Sequence, residues 1–333
     1  RIELDALNNN VSLTDTGEGY GIESTGKDSQ VLLNADNYNK ILASENAETK
    51  DDGNIYGDKY AVNAQSGGNV DVKAGLANTV YGAVYATGKN STVDISKLEQ
   101  TGTTFSRNTA GDVNNFVRSA AVIEDAGDLQ GKEVNGDEIT GMDVVSALYA
   151  EEGASIKLSG VNNIQTYYDD PSDTHTSERA VWAYKCADIT IDGVTNISTS
   201  KYAISPENRD IAIAAGTATE LKEADFTEAA LGKVEVANVN LNYKAGSAIN
   251  GDILAAYGGV VNITDANAAS RDVNSGAGTG IAITGDLLAG NNGKLTVDLG
   301  NSGVLIGRAD DYGDAELDNG HGSGDEDGFY NPA

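Results

Sequence analysis

The chain has 333 residues and carries 22 Lys and Arg against 51 Asp and Glu, which gives a formal net charge of −29. A negative field of this size repels DNA, RNA and anionic bilayers, and it therefore argues against nucleic-acid partners. The single cysteine, Cys186, excludes a disulfide framework within the chain, and no window approaches the roughly 18 consecutive apolar residues of a membrane span.

A short pattern recurs along the chain: two alternating apolar segments separated by a turn rich in Gly, Asn and Asp. In the stretch YGAVYATGKNSTVDIS, Val84 and Ala86 lie on one side before the turn, and Val93 and Ile95 lie on one side after it. This period of two is typical of strands. The copies cover residues 20–33, 60–72, 81–96, 146–158, 179–191, 202–213, 252–263 and 286–297.

A third short segment follows the better copies and completes the repeating unit. It reads VNNI at 161–164, VTNI at 194–197 and VNLN at 239–242. Three strands per unit, joined by Gly, Asn and Asp turns that tolerate a left-handed backbone, predict a coil that stacks on its neighbours. We therefore expect an all-β fold, a right-handed parallel β-helix of three-strand coils with loop insertions, as one unit over residues 1–333.

The spacing of the repeats supports this prediction. Val62 and Val84 are about 22 residues apart, and Val181 and Ile204 about 23, which suits one triangular coil. The interval from Leu148 to Val181 is longer and requires about ten inserted residues. The interval from Val84 to Leu148 is longer still, and it requires either an additional degenerate coil or a long excursion.

Four segments interrupt the repeats, and we predict that they project as loops, which in solenoids often carry the binding function. They are 34–59, 99–144, 162–178 and 264–280. A further segment contains helix formers and a capping-box pattern at Thr217 and Glu220. It predicts a short surface helix at approximately 218–231.

One insertion combines aromatic and acidic side chains and leads into an aromatic strand. Aromatic faces beside carboxylates suit sugars, whose C–H faces stack on rings while their hydroxyls bond carboxylate oxygens. Such carboxylates could also hold calcium, and no other cofactor is expected. The candidate ligand-binding residues are Tyr167, Tyr168, Asp169, Asp170, His175, Trp182 and Tyr184.

The alternative for these rings is a purely structural role. Aromatic residues recur at the start of the repeats, and they would then stack on one another as ladders along the fold. The residues that recur in this way are Tyr60, Tyr81, Tyr85, Tyr149, Tyr202 and Tyr257.

The sequence contains no recognisable catalytic motif. Nucleophilic hydrolysis needs a base beside the nucleophile, yet the two histidines are His175 and His321 and no G-x-S-x-G elbow occurs. Carboxylates are too abundant to single out a glycosidase pair. Arg179, Lys185 and Lys201 beside the acidic loop would permit a polysaccharide lyase without indicating one. We therefore expect no enzyme and assign no catalytic residue.

Two related segments occur in the last third of the chain: INGDILAAYGGVVNITDAN at 249–267 and ITGDLLAGNNGKLTVDLGNSGVLIGRADD at 283–311. Their pattern resembles that of the pertactin-like passenger domains of bacterial autotransporters, in which an I-x-G-D-(I/L)-x-A segment and an S-x-(L/W)-x-G segment recur. The matching residues are Gly251, Asp252, Leu254, Ala255, Gly285, Asp286, Leu288, Ala289, Ser302, Leu305 and Gly307.

The resemblance implies secretion through the outer membrane, with a signal peptide, a β-helical passenger and a C-terminal barrel. The chain begins at Arg1 and shows neither the signal nor the barrel, so we expect an excised part of a passenger, displayed on the bacterial cell surface or secreted. Family members include adhesins, self-associating proteins and, less often, proteases and esterases, whose catalytic segments do not occur here.

We accordingly expect an adhesin that binds host glycans, extracellular matrix proteins or cell-surface proteins through a face of the β-helix and its loops. One alternative is self-association of rods between bacteria, leading to aggregation or biofilm. The other is a β-helical enzyme that degrades polysaccharides.

Overall fold

The computed structural model describes residues 1–13, 19–44, 49–99, 111–126, 133–134, 137–138, 142–168, 176–207, 220–221, 236–268, 280–290 and 293–312. Every regular element in these residues is a strand, and most strands pair in parallel. The prediction of an all-β fold is confirmed. The described residues contain no helix that could span a membrane.

The strands follow one another in chain order with short turns or longer connections between them. Their bounds are β1 (Ile2–Leu13), β2 (Tyr20–Thr25), β3 (Gln30–Ala43), β4 (Tyr60–Gln65), β5 (Asn69–Ala74), β6 (Ala77–Tyr81), β7 (Ala83–Thr87), β8 (Thr92–Lys97), β9 (Asn114–Ser119), β10 (Val122–Ala126), β11 (Glu133–Val134), β12 (Asp137–Glu138), β13 (Met142–Val145), β14 (Leu148–Glu151), β15 (Ser155–Thr166), β16 (Thr176–Tyr184), β17 (Asp188–Glu207), β18 (Glu220–Leu221), β19 (Asn238–Tyr243), β20 (Ser247–Ala255), β21 (Val260–Asp265), β22 (Ile281–Thr284), β23 (Leu287–Gly290), β24 (Lys294–Val297), β25 (Val304–Ile306) and β26 (Ala309–Tyr312).

Apart from β10 and β13, which pair antiparallel, the strands of the 23-stranded sheet stack in three columns of parallel pairs. The first column contains β2, β4, β7, β14, β16, the ends of β17 and β20, β23 and β26. The second contains the starts of β1 and β3, β5, β8, the starts of β15 and β17, β19, β21 and β24. The third contains the ends of β1 and β3, β6, β9, the end of β15, the middle of β17, the start of β20, β22 and β25.

The register of the first column is the one that the repeat spacing predicted. Val84 lies opposite both Val62 and Leu148, and Val181 lies opposite both Leu148 and Ile204. All five side chains are fully buried in one continuous apolar core. Because Val84 and Leu148 are direct neighbours, the long interval between them is an excursion from a single repeat and contains no additional one.

A buried row of polar side chains runs along the third column. Each asparagine amide donates to the side-chain oxygen of the residue one repeat further on, at 2.9, 2.9, 3.0, 2.9 and 3.3 Å. Buried amides have to be hydrogen-bonded, and here each one satisfies the next. The members of this asparagine row are Asn9, Asn39, Asn78, Asn115, Asn162 and, at its end, Thr195.

The bend between the second and third columns requires glycine at one level of the stack. Gly193 has a φ of +114° and lies in register with Gly160. A β-carbon on Gly193 would lie 2.0 Å from the carbonyl oxygen of Gly160. The close approach of two backbones, together with the left-handed φ, therefore excludes a side chain.

The repeated glycine-aspartate segments have a structural role. The carboxylate of Asp252 accepts from the backbone N–H of Asp286 at 2.7 Å, and that of Asp286 accepts from the backbone N–H of Arg308 at 2.9 Å. Hydrogen bonds from Arg308, including one from its side chain, lower the pKa of Asp286. Each aspartate thus ties its own repeat to the next one along the column.

Two of the predicted third segments were placed correctly and one was not. VNNI at 161–164 and VTNI at 194–197 pair with each other in the third column. VNLN at 239–242 lies in β19, which pairs in the second column with β17 and β21. The apolar alternation of this segment is the same in both columns, so the pattern alone did not distinguish them.

The predicted insertions contain more strand than expected. The segment 34–59 is in β3 as far as Ala43, and 99–144 contains β9, which pairs with β6 and β15. The segments 162–178 and 264–280 likewise begin inside β15 and β21. The reason in β3 and β9 is the asparagine row, which puts amides where the apolar pattern required aliphatic residues. Of the predicted helix at 218–231, Glu220–Leu221 forms β18, which pairs with β11, and the rest lies outside the described residues.

Candidate functional site

Six aromatic rings lie in a row on the outer side of the first column, with the pairs Tyr85–Tyr149 and Tyr149–Trp182 stacked and the other pairs tilted. Successive ring centroids are 5.6, 5.4, 5.2, 4.6 and 5.4 Å apart. Aromatic pairs at such distances contribute about 0.5–1.5 kcal/mol each beyond the area they bury. The members of this aromatic row are Tyr20, Tyr60, Tyr85, Tyr149, Trp182 and Tyr184.

The row follows from strand geometry and register. Tyr85, Tyr149 and Trp182 each come directly after a buried residue of the first column, so their side chains point to the opposite face. The three lie opposite one another in the parallel pairing of β7, β14 and β16. The hypothesis of an aromatic ladder is therefore confirmed for these positions and for Tyr60. Tyr202 packs instead beneath a guanidinium group, that of Arg179.

The rings become more buried along the row. Tyr20 is 37% exposed, whereas Tyr149 is 2% and Trp182 0% exposed. Tyr60 and Tyr85 are half-buried. The row therefore has an open end at β2 and β4 and a closed end at β16.

A carboxylate fixes the middle of the row. Glu151 accepts hydrogen bonds from the hydroxyls of Tyr85 and Tyr149, the latter at 2.6 Å. Burial raises the pKa of both phenols, and the negative charge of Glu151 raises the pKa further. Both rings are thus held as neutral hydrogen-bond donors at physiological pH.

The closed end of the row packs against a buried ion pair. The guanidinium carbon of Arg179 lies 5.3 Å from the centroid of the Trp182 ring, and its Nη1 lies 3.6 Å from Oε1 of Glu207. The two charged side chains are 0% and 1% exposed. Such a pair depends on both partners, because removing one leaves an uncompensated buried charge.

The open end of the row borders a cleft of about 460 Å³, which we call the open-end cleft. Tyr20 and Tyr60 form one wall, at an angle of 46° to each other, and Asp58 and Lys59 lie beside them. Residues 120–122 form the opposite wall. A cleft of this size, with aromatic faces and a few polar groups, has the features of small-ligand sites.

The predicted ligand loop contributes to a second aromatic cluster, which includes Tyr56, two residues before Asp58 of the cleft. Tyr167 packs against Tyr56 with ring centroids 5.2 Å apart and the rings tilted by 30°, and the ammonium of Lys50 lies 5.5 Å from the centroid of the Tyr167 ring. The hydroxyl of Tyr56 donates to Asp52 at 2.6 Å. Parts of two predicted insertions, 34–59 and 162–178, are thereby in contact.

The predicted site residues therefore belong to more than one place. Tyr167 and Tyr168 are half-buried, whereas Trp182 and Tyr184 are fully buried members of the aromatic row. Asp169, Asp170 and His175 lie outside the described residues. A binding role for this set stays a prediction.

The residues of the open-end cleft are not among the binding residues that the sequence predicts. The repeat pattern places Tyr20 and Tyr60 at the start of two copies, and Asp58 and Lys59 at the end of the insertion 34–59. The signal that could have found them was the juxtaposition GDKY at 57–60, where the acidic end of an insertion meets the aromatic start of a strand.

Among the described residues, no group of three or more His, Cys, Asp and Glu side chains is placed to hold a metal ion. The carboxylates of Asp169 and Asp170, for which calcium was considered, lie outside the described residues.

Comparison of the chain with protein-family models, with curated proteins and with solved structures finds no match. The resemblance to autotransporter passengers consequently rests on the motif residues alone.

Proposed function

We propose that the three columns form a right-handed parallel β-helix and that this rod is part of an autotransporter passenger acting as a cell-surface adhesin. Parallel strands that pair one repeat apart need crossover connections, and such connections are right-handed in nearly all proteins. The glycine-aspartate segments, which link successive repeats, agree with the passenger pattern.

The observation that carries the proposal is the open-end cleft on a rigid stack. Binding residues are positioned most precisely when they lie on packed elements. Tyr20 and Tyr60 lie in the paired strands β2 and β4, and both strands contribute apolar side chains to the continuous core. The ligand would be a host glycan, or a protein of the extracellular matrix or the host cell surface. Many copies on one cell would strengthen weak individual contacts.

The proposal is tested by displaying the purified chain on beads at increasing density and measuring binding to arrays of glycans and matrix proteins and to cultured host cells. We expect selective binding that rises more steeply than in proportion to density. Beads coated with the urea-unfolded chain are the control. Absence of binding to every array component and to cells at the highest density would contradict the proposal.

Self-association is a second candidate, favoured by the polar outer face of the second column. Side chains one repeat apart are hydrogen-bonded there, as in Asn238 to Asp188 at 2.9 Å and Asn262 to Asn240 at 2.9 Å. Such ordered amides present a regular surface to another rod. With a net charge of −29, pairing of rods would strengthen as salt screens their repulsion. Sedimentation velocity between low and high salt tests this, and a monomer under all conditions would exclude it.

A further inference from the structure

We propose that the open-end cleft binds an uncharged pyranose residue of a glycan, with a C–H face of the sugar on Tyr20. The inference deepens the proposed adhesin function and rests on it. It names the ligand class and the residues that would recognise it, in place of the aromatic loop that the sequence suggested.

The aromatic wall is the part of the row with accessible ring surface. Tyr20 is 37% exposed and Tyr60 half-buried, and their centroids are 5.6 Å apart. The rings beyond them are more buried, up to full burial at Trp182. A sugar can therefore stack at this end of the row, where rigid aromatic area is available at a small cost in conformational entropy.

Two polar side chains complete the recognition surface. Asp58, which is exposed, supplies carboxylate oxygens that accept from hydroxyl groups, and Lys59, which is half-buried, supplies an ammonium group that donates to hydroxyl oxygens. Sugar hydroxyls are both donors and acceptors, so this combination matches them. Val122 on the opposite wall is 37% exposed and offers an apolar contact.

The backbone of both walls is held in place before a ligand arrives. The N–H of Lys59 donates to the carbonyl of Ala43 at 3.2 Å, and the N–H of Ala83 donates to the carbonyl of Lys59 at 3.0 Å. The opposite wall is linked to the same segment, because the N–H of Ala120 donates to the carbonyl of Gly57 at 2.8 Å. Preorganisation of this kind reduces the entropic cost of binding.

Charge favours a neutral ligand over an acidic one. Asp58 and Lys59 carry opposite charges, so the charges of the described lining residues balance. The chain as a whole carries −29, and its field opposes the approach of sulfated or carboxylated sugars. Binding of a neutral pyranose should therefore change little with ionic strength, in contrast to binding of an anionic glycan.

The experiment is saturation-transfer NMR and calorimetry on the full chain with methyl glycosides of glucose, galactose, mannose and N-acetylglucosamine, and with sialic acid and a sulfated galactoside as anionic probes. We expect at least one neutral glycoside to bind and both anionic probes to bind at least tenfold more weakly. Tyr20→Ala and Asp58→Asn should each weaken the neutral glycoside about tenfold, whereas Tyr20→Phe, which keeps the ring, should change it less than twofold. Tyr38→Ala is the matched control, since Tyr38 is 43% exposed and lies in β3, away from the cleft lining.

The outcomes separate this inference from the adhesin proposal. Array or cell binding that survives Tyr20→Ala and Asp58→Asn would overturn the cleft assignment and leave the adhesin proposal standing. Glycoside binding that these variants abolish, without any binding to arrays or cells, would support the cleft and contradict the adhesin. Failure of all the neutral glycosides, or preference for the anionic probes, would overturn the inference.

Discussion

Replacing Asn115 by alanine removes the centre of the asparagine row. The Asn115 side chain accepts from Asn78 at 3.0 Å, and it donates to the carbonyl of Ser159 at 3.0 Å and to the side chain of Asn162 at 2.9 Å. It is fully buried, so water does not replace these partners. The variant leaves the oxygens of Ser159 and Asn162 without this donor and the amide of Asn78 without this acceptor.

The cost can be worked out from these contacts. Three hydrogen bonds at about 1 kcal/mol each give a loss of about 3 kcal/mol, and the small cavity adds to it. Asn114→Ala is the matched control, because Asn114 is the preceding residue, is exposed and has one long contact of 3.5 Å to the carbonyl of Leu76. Its substitution should change the free energy of unfolding by less than about 0.5 kcal/mol.

Urea unfolding followed by far-UV circular dichroism and by fluorescence measures both variants. The single tryptophan, Trp182, is buried in the aromatic row and reports on the packing of the repeats next to the substituted strand. Because a stack of repeats need not unfold in one step, the two signals should be compared. A loss below about 1 kcal/mol for Asn115→Ala, or an equal loss for Asn114→Ala, would refute the reasoning.

Three other predictions concern the stack. Gly193→Ala should destabilise the chain several times more than Gly246→Ala. Both glycines have a positive φ, but a β-carbon at Gly193 would lie 2.0 Å from a backbone oxygen, whereas one at Gly246 would have nothing within 4 Å. Thermal unfolding measures both variants, and equal shifts in melting temperature would contradict the close approach. Glu207→Gln should cost about 3 kcal/mol because it removes one charge of a buried ion pair, whereas Glu152→Gln, which removes a carboxylate that is 53% exposed from its ion pair with Lys185, should cost less than about 0.5 kcal/mol. Chemical denaturation measures both variants, and similar values would contradict a stabilising role of the buried pair. Burial raises the pKa of tyrosines of the aromatic row such as Tyr149 above the ordinary 10.0, so their contribution to stability is complete below pH 10 and is lost as pH rises towards their folded pKa. In a pH titration, part of the phenolate absorbance at 295 nm should therefore appear only when the circular-dichroism signal is lost. Full ionisation of the tyrosines in the folded chain near pH 10 would contradict this.

The all-β class and the register of the first column could be predicted from the sequence because aliphatic residues alternate there without interruption. Val84, Leu148 and Val181 illustrate this, since each was aligned by spacing and each pairs as expected. The third column was harder. Its buried amides, such as Asn39 and Asn115, have the hydropathy of surface residues, so hydropathy alone predicts insertions where strands lie.

The candidate site was less predictable than the fold. Trp182 and Tyr184 belong to a recognisable aromatic strand, but the sequence does not state whether a ring faces solvent or a neighbouring ring. That depends on which repeat lies next to it and on how much of the row is covered. Tyr20 and Tyr60 are chemically like the other tyrosines, and what distinguishes them is their place at the open end.

The sequence by itself determined the repeating strand pattern, the strong negative charge and the glycine positions at the bends, because alternation, composition and a missing β-carbon are properties of single residues and their nearest neighbours. Tertiary structure decided which polar residues turn inward, which rings are covered and which side chains from distant segments enclose a cleft. Asn39 meets Asn78, and Gly57 meets Ala120, only after the strands have stacked, so these contacts depend on register over many residues and have no local signature.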